Sequence, residues 1–128
     1  MENVKEEQIV DVQVVGMIDL PKIDLSKYEG KKVPVELVQL EKGEFGYYYK
    51  VSSLMLEQIG SGEKKVDIRA TTILGLHQSA DGKWGWGEGS KTHNFLKKHN
   101  VTRPEELKGK DMVITLVKKN DSDFLRLN

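Results

Sequence analysis

Two tryptophans separated by one residue are the most distinctive side chains of this 128-residue chain. Trp84 and Trp86 alternate with Gly85 and Gly87. In an extended strand both indoles would project from one side, about 6–7 Å apart, which is close to one step of an extended nucleic-acid strand. The same indoles could instead fold over an apolar core as a lid. The sequence leaves both interpretations open.

A second group of aromatic and basic residues lies on two predicted strands. Lys50 should face water, which carries Tyr48 outward with it and turns Tyr49 and Val51 inward. Arg69 is predicted on the outward face of the next strand. Outward rings can stack on bases, and outward cations can neutralise phosphates. The candidate contact residues for nucleic acid are Tyr47, Tyr48, Lys50, Arg69, Trp84, Trp86, Lys91, Lys118 and Lys119.

A glycine-rich stretch leads into the one convincing helix. Gly85, Gly87 and Gly89 precede Ser90 and Lys91, and a helix start offers N–H donors to a phosphate. A nucleotide-hydrolysing phosphate loop needs Gly-Lys-Ser/Thr, whereas Ser90 here separates Gly89 from Lys91. We therefore expect contact with a single nucleic-acid phosphate at Ser90 and Lys91, and no ATP hydrolysis.

Residues for enzyme chemistry are few. The chain has no cysteine, which excludes thiol nucleophiles and thiolate metal sites. Of the three histidines, His93 and His99 are six residues apart and fall on different faces of the predicted helix, so they cannot form a metal-binding pair. His77 lies elsewhere. We expect a non-enzymatic protein without metal or cofactor.

The charge balance limits how strongly the chain can bind a polyanion. Twenty basic and 20 acidic residues give a formal net charge of zero, although phosphate neutralisation usually dominates affinity for nucleic acid. The charge is uneven, with −4 over residues 1–30, zero over 31–89 and +4 over 90–128. The length predicts a single domain over 9–128 after a disordered N-terminus at 1–8. Apolar runs are too short for a membrane span, so a cytoplasmic protein is expected.

Alternating apolar and β-branched residues predict a mostly β chain. Val66, Ile68 and Ala70 are predicted on the core face of one strand. Ser90 is a good N-cap for the helix, and Pro104 is predicted to begin one further helical turn. The predicted strands are 9–18, 32–40, 47–58, 66–78, 111–118 and 124–127, and the predicted helix is 91–99.

The order of these elements has a counterpart among known folds. Leu107-Lys108-Gly109-Lys110, the apolar run that follows it and the hairpin to Phe124-Leu125-Arg126-Leu127 resemble the fourth and fifth strands of OB domains that bind single-stranded nucleic acid. Gly30 to Val35 resembles their first strand. The resemblance covers roughly residues 30–127 and implies a five-stranded OB-like Greek-key barrel with one helix between strands 3 and 4. An extra N-terminal strand and a small Trp-containing hairpin depart from this pattern.

The resemblance also implies a function. Such domains bind on the outward face of strands 2 and 3 and with the loops joining strands 1 to 2 and 4 to 5. We therefore expect binding of single-stranded DNA or RNA, with DNA favoured and with little sequence preference.

The strand predicted at 9–18 supports a second hypothesis. An apolar strand of this kind can pair with the sheet edge of another chain. The protein would then be an interaction or assembly module that binds no nucleic acid, with a possible homo-oligomer through the N-terminal strand. The zero net charge is in keeping with this alternative.

Overall fold

The computed structural model describes residues 24–60, 63, 65–119 and 122–128. The predictions for residues 1–18, a disordered terminus and a first strand, lie outside the described residues. None of the described helices is long and apolar enough to cross a bilayer. The elements are β1 (Lys32–Gly43), β2 (Gly46–Ser53), β3 (Glu57–Ile59), β4 (Val66–Ile68), β5 (Thr71–Gly75), β6 (His77–Gln78), β7 (Trp84–Gly85), α1 (Lys91–Lys98), β8 (Asp111–Lys119), β9 (Ser122–Leu127) and two 3-10 helices, Leu25–Tyr28 and Pro104–Leu107.

Five strands close into a barrel in the order β1-β2-β5-β9-β8. Neighbouring strands are antiparallel except β5 and β9, which are parallel. The other four strands of the described residues form two separate ladders, β3–β4 and β6–β7. Burial of apolar side chains inside the barrel is the main source of stability. The fully or almost fully buried side chains include Val35, Val51, Ala70, Leu96, Leu107, Met112, Ile114 and Leu127.

The strand β1 changes its side-chain alternation as it passes from β8 to β2. The register shifts between Val35 and Leu37, which marks a bulge at Glu36. Val35 is buried, but Leu37 is 40% exposed, and Val38 packs against the core instead. The sequence predicts Leu37 on the same face as Val35, and the bulge is the reason that it is not.

The strand predicted over 66–78 is divided into β4, β5 and β6. Val66, predicted in the core, is 61% exposed because β4 pairs only with β3 and stands outside the barrel. Ala70 is fully buried at the break between β4 and β5. There the Ser53 hydroxyl accepts the Ala70 N–H at 2.9 Å, and the Ser53 N–H donates to the Ala70 carbonyl at 2.8 Å.

The helix α1 follows the seventh strand in chain order. The prediction that it lies between strands 3 and 4 is therefore wrong, because β3, β4, β6 and β7 are additional short strands that precede it. Ser90 caps the helix by accepting the His93 N–H at 3.1 Å. The Thr92 hydroxyl donates to the Gly75 carbonyl at 2.7 Å and ties the first turn of α1 to the end of β5.

Candidate nucleic-acid interface

The pairing of β2 with β5 decides which side chains of β2 face outward. Val51 is fully buried, so Tyr48 and Lys50 point to the opposite, outer face. Lys50 lies directly across from Ile73 of β5, which is 63% exposed. These three residues therefore share one accessible face of the barrel.

Tyr48 is positioned by its neighbours. A Cβ atom added at Gly43 would lie 2.9 Å from Cε1 of Tyr48, so the ring rests close to the Gly43 backbone. The Tyr48 hydroxyl donates to the Glu41 carboxylate at 3.0 Å, and this hydrogen bond raises the pKa of Tyr48. Across the sheet lies Gly75, where an added Cβ would meet nothing within 4 Å. The ring is held in place beside open space.

A cleft of about 400 Å³ opens next to this face, between β5, β9 and the start of α1. Among the described residues the two strands are bridged only at Thr71 and Arg126, so they have no ladder pairing along the rest of the cleft there. Ile73 lines one side, and Phe124, which is 39% exposed, lines the other. An exposed ring in an open cleft of this size can stack on a base.

Two cations line the cleft, and a third lies next to it. Lys91 and Arg126 line it, and Lys50 stands opposite Ile73 at its border. Among the described residues, none of these three forms an ion pair, and no acidic side chain lines the cleft. Ser90, predicted together with Lys91 to contact phosphate, has its hydroxyl engaged as the helix cap.

Lys118 and Lys119 end β8, and both are exposed. Lys119 pairs with Ser122, and Lys118 pairs with Asp123. Because side chains alternate along a strand, Lys119 shares the outer face with Phe124, whereas Lys118 faces the other way. The two predicted contacts are therefore not equivalent.

Arg69 is engaged by the protein itself. Its guanidinium donates to the Glu36 carboxylate at 2.7 Å and to the Ser53 carbonyl at 2.9 Å. A third oxygen, from Asp67, lies 3.8 Å away. Arg69 does not line the cleft. It joins β1, β2 and the loop after β4, which is a structural role.

Trp84 packs beneath the β1–β2 hairpin. Its ring meets Tyr47 edge to face, with centroids 5.2 Å apart. A Cβ atom added at Gly46 would lie 2.7 Å from the indole, so the indole rests close to the Gly46 backbone. Tyr47 points to the opposite face from its neighbour Tyr48. Trp84 and Tyr47 thus cover the inner side of the hairpin.

Trp86 lies outside β7 and packs against the core. It lines a cavity of about 460 Å³ beside α1, together with His93 and Leu96. Trp84 and Trp86 also border a smaller cleft of about 300 Å³ that includes Arg103. Neither tryptophan lines the cleft between β5 and β9.

The histidines do not gather into a site. His77 is exposed on β6, and His93 accepts the Gly89 N–H through Nδ1 at 2.9 Å. Among the residues that the structure describes, no group of three or more metal-binding side chains is present.

His99 stands apart from the other histidines because its Nε2 is buried without a hydrogen-bond partner among the described residues. Its ring packs on Phe95, with centroids 4.7 Å apart. Burial lowers the pKa of His99, and the positive charges of Lys98 and Lys110 lower it further.

Sequence reasoning missed Ile73, Phe124 and Arg126, which line the cleft. A usable signal exists for the last two. Leu125 and Leu127 are buried, so alternation places Phe124 and Arg126 outward. The same alternation places Ile73 outward, next to the buried Leu74.

Comparisons with protein-family models, curated proteins and solved structures give no match to this chain.

Proposed function

We propose that this protein binds single-stranded nucleic acid, with DNA favoured and with little sequence preference. The ligand lies in the cleft between β5 and β9 and continues over the outer face of β2. The observation that carries the proposal is the exposed ring of Phe124 in a cleft that Lys91 and Arg126 line. Lys50 lies across from Ile73, which also lines the cleft. These three cations have no acidic partner among the described residues.

An OB-like Greek-key architecture is part of this proposal. It is supported by the strand order β1-β2-β5-β9-β8 and by the parallel pairing of β5 with β9. The helix α1 follows β7 and precedes β8 in the chain. Barrels of this kind bind oligonucleotides on their second and third strands, which are β2 and β5 here.

The two kinds of contact have different roles. Tyr48 and Phe124 offer rings to bases, and stacking tolerates any sequence because every base has a π-face. Lys50, Lys91 and Arg126, together with Lys119 on the face of Phe124, neutralise phosphates. This contribution to the affinity weakens as salt rises. The protein acts by binding alone, without a catalytic residue or a cofactor.

The direct experiment titrates fluorescently labelled oligo-dT and oligo-U with the protein at low salt and follows anisotropy. Replacing Phe124 by Ala should weaken binding by roughly 1–3 kcal/mol, the usual value of one stacked base. Met55→Ala is the matched control because Met55 is 41% exposed, close to the 39% of Phe124, but does not line the cleft.

No anisotropy change with either oligonucleotide would refute the proposal. Equal losses in the two variants would show that the cleft is not the binding site.

A further inference from the structure

The outer edge of β1 has backbone groups that point away from the barrel ladder. The Leu76 N–H donates to the Tyr47 carbonyl at 3.1 Å, so the odd-numbered residues of β2 bond to β5 and the even-numbered ones bond to β1. The register then directs the amide and carbonyl groups of Val38, Leu40 and Lys42 to the opposite side of β1.

These groups have no backbone partner among the described residues. The two residues before β8 pair with this side of β1 at Val35. The Val35 N–H donates to the Lys110 carbonyl at 2.9 Å, and the Val35 carbonyl accepts the Gly109 N–H at 2.9 Å. Among the described residues, pairing on this side of β1 ends there. Beyond the bulge at Glu36 the two strands separate. The remaining edge is a template for one more strand.

An apolar groove runs beside the same edge. Leu40, Tyr47, Leu76 and Trp84 enclose about 340 Å³, and the Leu40 side chain is 54% exposed. Leu40 belongs to both features, since its backbone faces the open edge and its side chain borders the groove. A strand added to this edge would therefore place every second side chain over the groove.

We propose that residues 9–18 of this chain occupy the β1 edge and the groove. Val10, Val12 and Val14 alternate with Asp11 and Gln13, which suits a strand with one apolar face over the groove and one polar face toward water. Ten extended residues span about 33 Å, whereas the open edge from Val38 to Lys42 needs only about 16 Å. The groove lies on the face opposite Tyr48 and shares no lining residue with the cleft between β5 and β9.

Hydrogen exchange of backbone amides, measured by NMR on the full chain, tests the proposal. The amides of Leu40 and Lys42 should exchange about 100-fold or more slowly than unprotected amides, because paired amides exchange only when the structure opens. The amides of Gln39 and Glu41 are the internal reference, since they bond to β2 with or without an added strand. Unprotected exchange at Leu40 and Lys42 would overturn the proposal.

Two double variants identify the occupant. Val12→Asn with Val14→Asn should remove the protection, whereas Asp11→Asn with Gln13→Asn should keep it. Protection that survives in the valine variant would show that another segment or partner covers the edge, and the proposal would fail. Light scattering on the same samples should give the mass of a monomer, because the segment belongs to the same molecule. A dimer that the valine variant dissociates would overturn the proposal.

Discussion

Arg126→Gln tests the electrostatic part of the proposed function. The guanidinium lines the cleft beside Phe124 and pairs with no described acidic group. The side chain is exposed at the surface of β9, so glutamine should leave the fold intact. Any loss of binding is then assigned to a lost phosphate contact.

The expected loss of affinity follows from the number of cations assigned to the interface. The interface contains four such cations, Lys50, Lys91, Lys119 and Arg126. Each neutralised phosphate of a single strand contributes about −0.7 to the slope of log K against log salt, so the expected slope is about −2.8. Arg126→Gln should reduce the slope to about −2.1. Near 0.1 M salt this is a loss of about fivefold, or about 1 kcal/mol.

The assay measures anisotropy of labelled oligo-dT at several salt concentrations. Arg103→Gln is the matched control, because Arg103 is an exposed arginine beside Trp84 and Trp86 and does not line the cleft. Its slope should equal that of the unmodified protein. An unchanged slope for Arg126→Gln, or the same reduction for both variants, would refute the assignment of the cleft.

Three further variants test the structural basis of the interface. Trp84→Ala should lower the free energy of unfolding by about 2–4 kcal/mol in denaturant titration. Trp84 is only 37% exposed, so most of its surface is covered, and its ring packs on Tyr47. Gly43→Ala should weaken oligo-dT binding with little loss of stability, because the new methyl would displace the Tyr48 ring. The lowered pKa of His99 means that the unfolded chain takes up the proton first as the pH falls. Stability should therefore fall from about pH 6.5 downward, and less steeply in His99→Leu.

A specific result would contradict each of these three predictions. A Trp84→Ala protein of unchanged stability but reduced affinity would make the indole a ligand contact instead of a packing residue. Gly85→Ala is the control for Gly43→Ala, since a Cβ atom there meets nothing within 4 Å. Equal affinity losses in the two alanine variants would show that Tyr48 does not contact the ligand. If acid destabilises His99→Leu as much as the unmodified protein, another group is responsible.

Local sequence determined the elements whose signals lie within a few residues. The cap at Ser90 and the apolar pair Phe95 and Leu96 predict the helix that is observed as α1, and Pro104 begins the predicted further turn. The alternation of Leu125 and Leu127 predicts the last strand. A cap, a proline or an alternating run acts through the nearest backbone groups, so its effect can be predicted without knowing the rest of the fold.

Tertiary structure decided what depends on distant partners. The bulge at Glu36 exposes Leu37 because β1 must leave β8 in order to follow β2. Arg69 is engaged by Glu36, 33 positions away in the chain, so its guanidinium, predicted as a nucleic-acid contact, is occupied by a carboxylate of the protein itself.

The two tryptophans are the clearest case. Their spacing allowed either a ligand-facing pair or a lid. In the fold Trp84 packs against Tyr47 and Trp86 against the core, and both border the cleft of about 300 Å³ that includes Arg103. The exposed cleft is formed instead by β5 and β9, which are more than 40 residues apart in the chain. No local sequence pattern predicts that these two distant strands diverge, because their divergence arises only when the barrel closes.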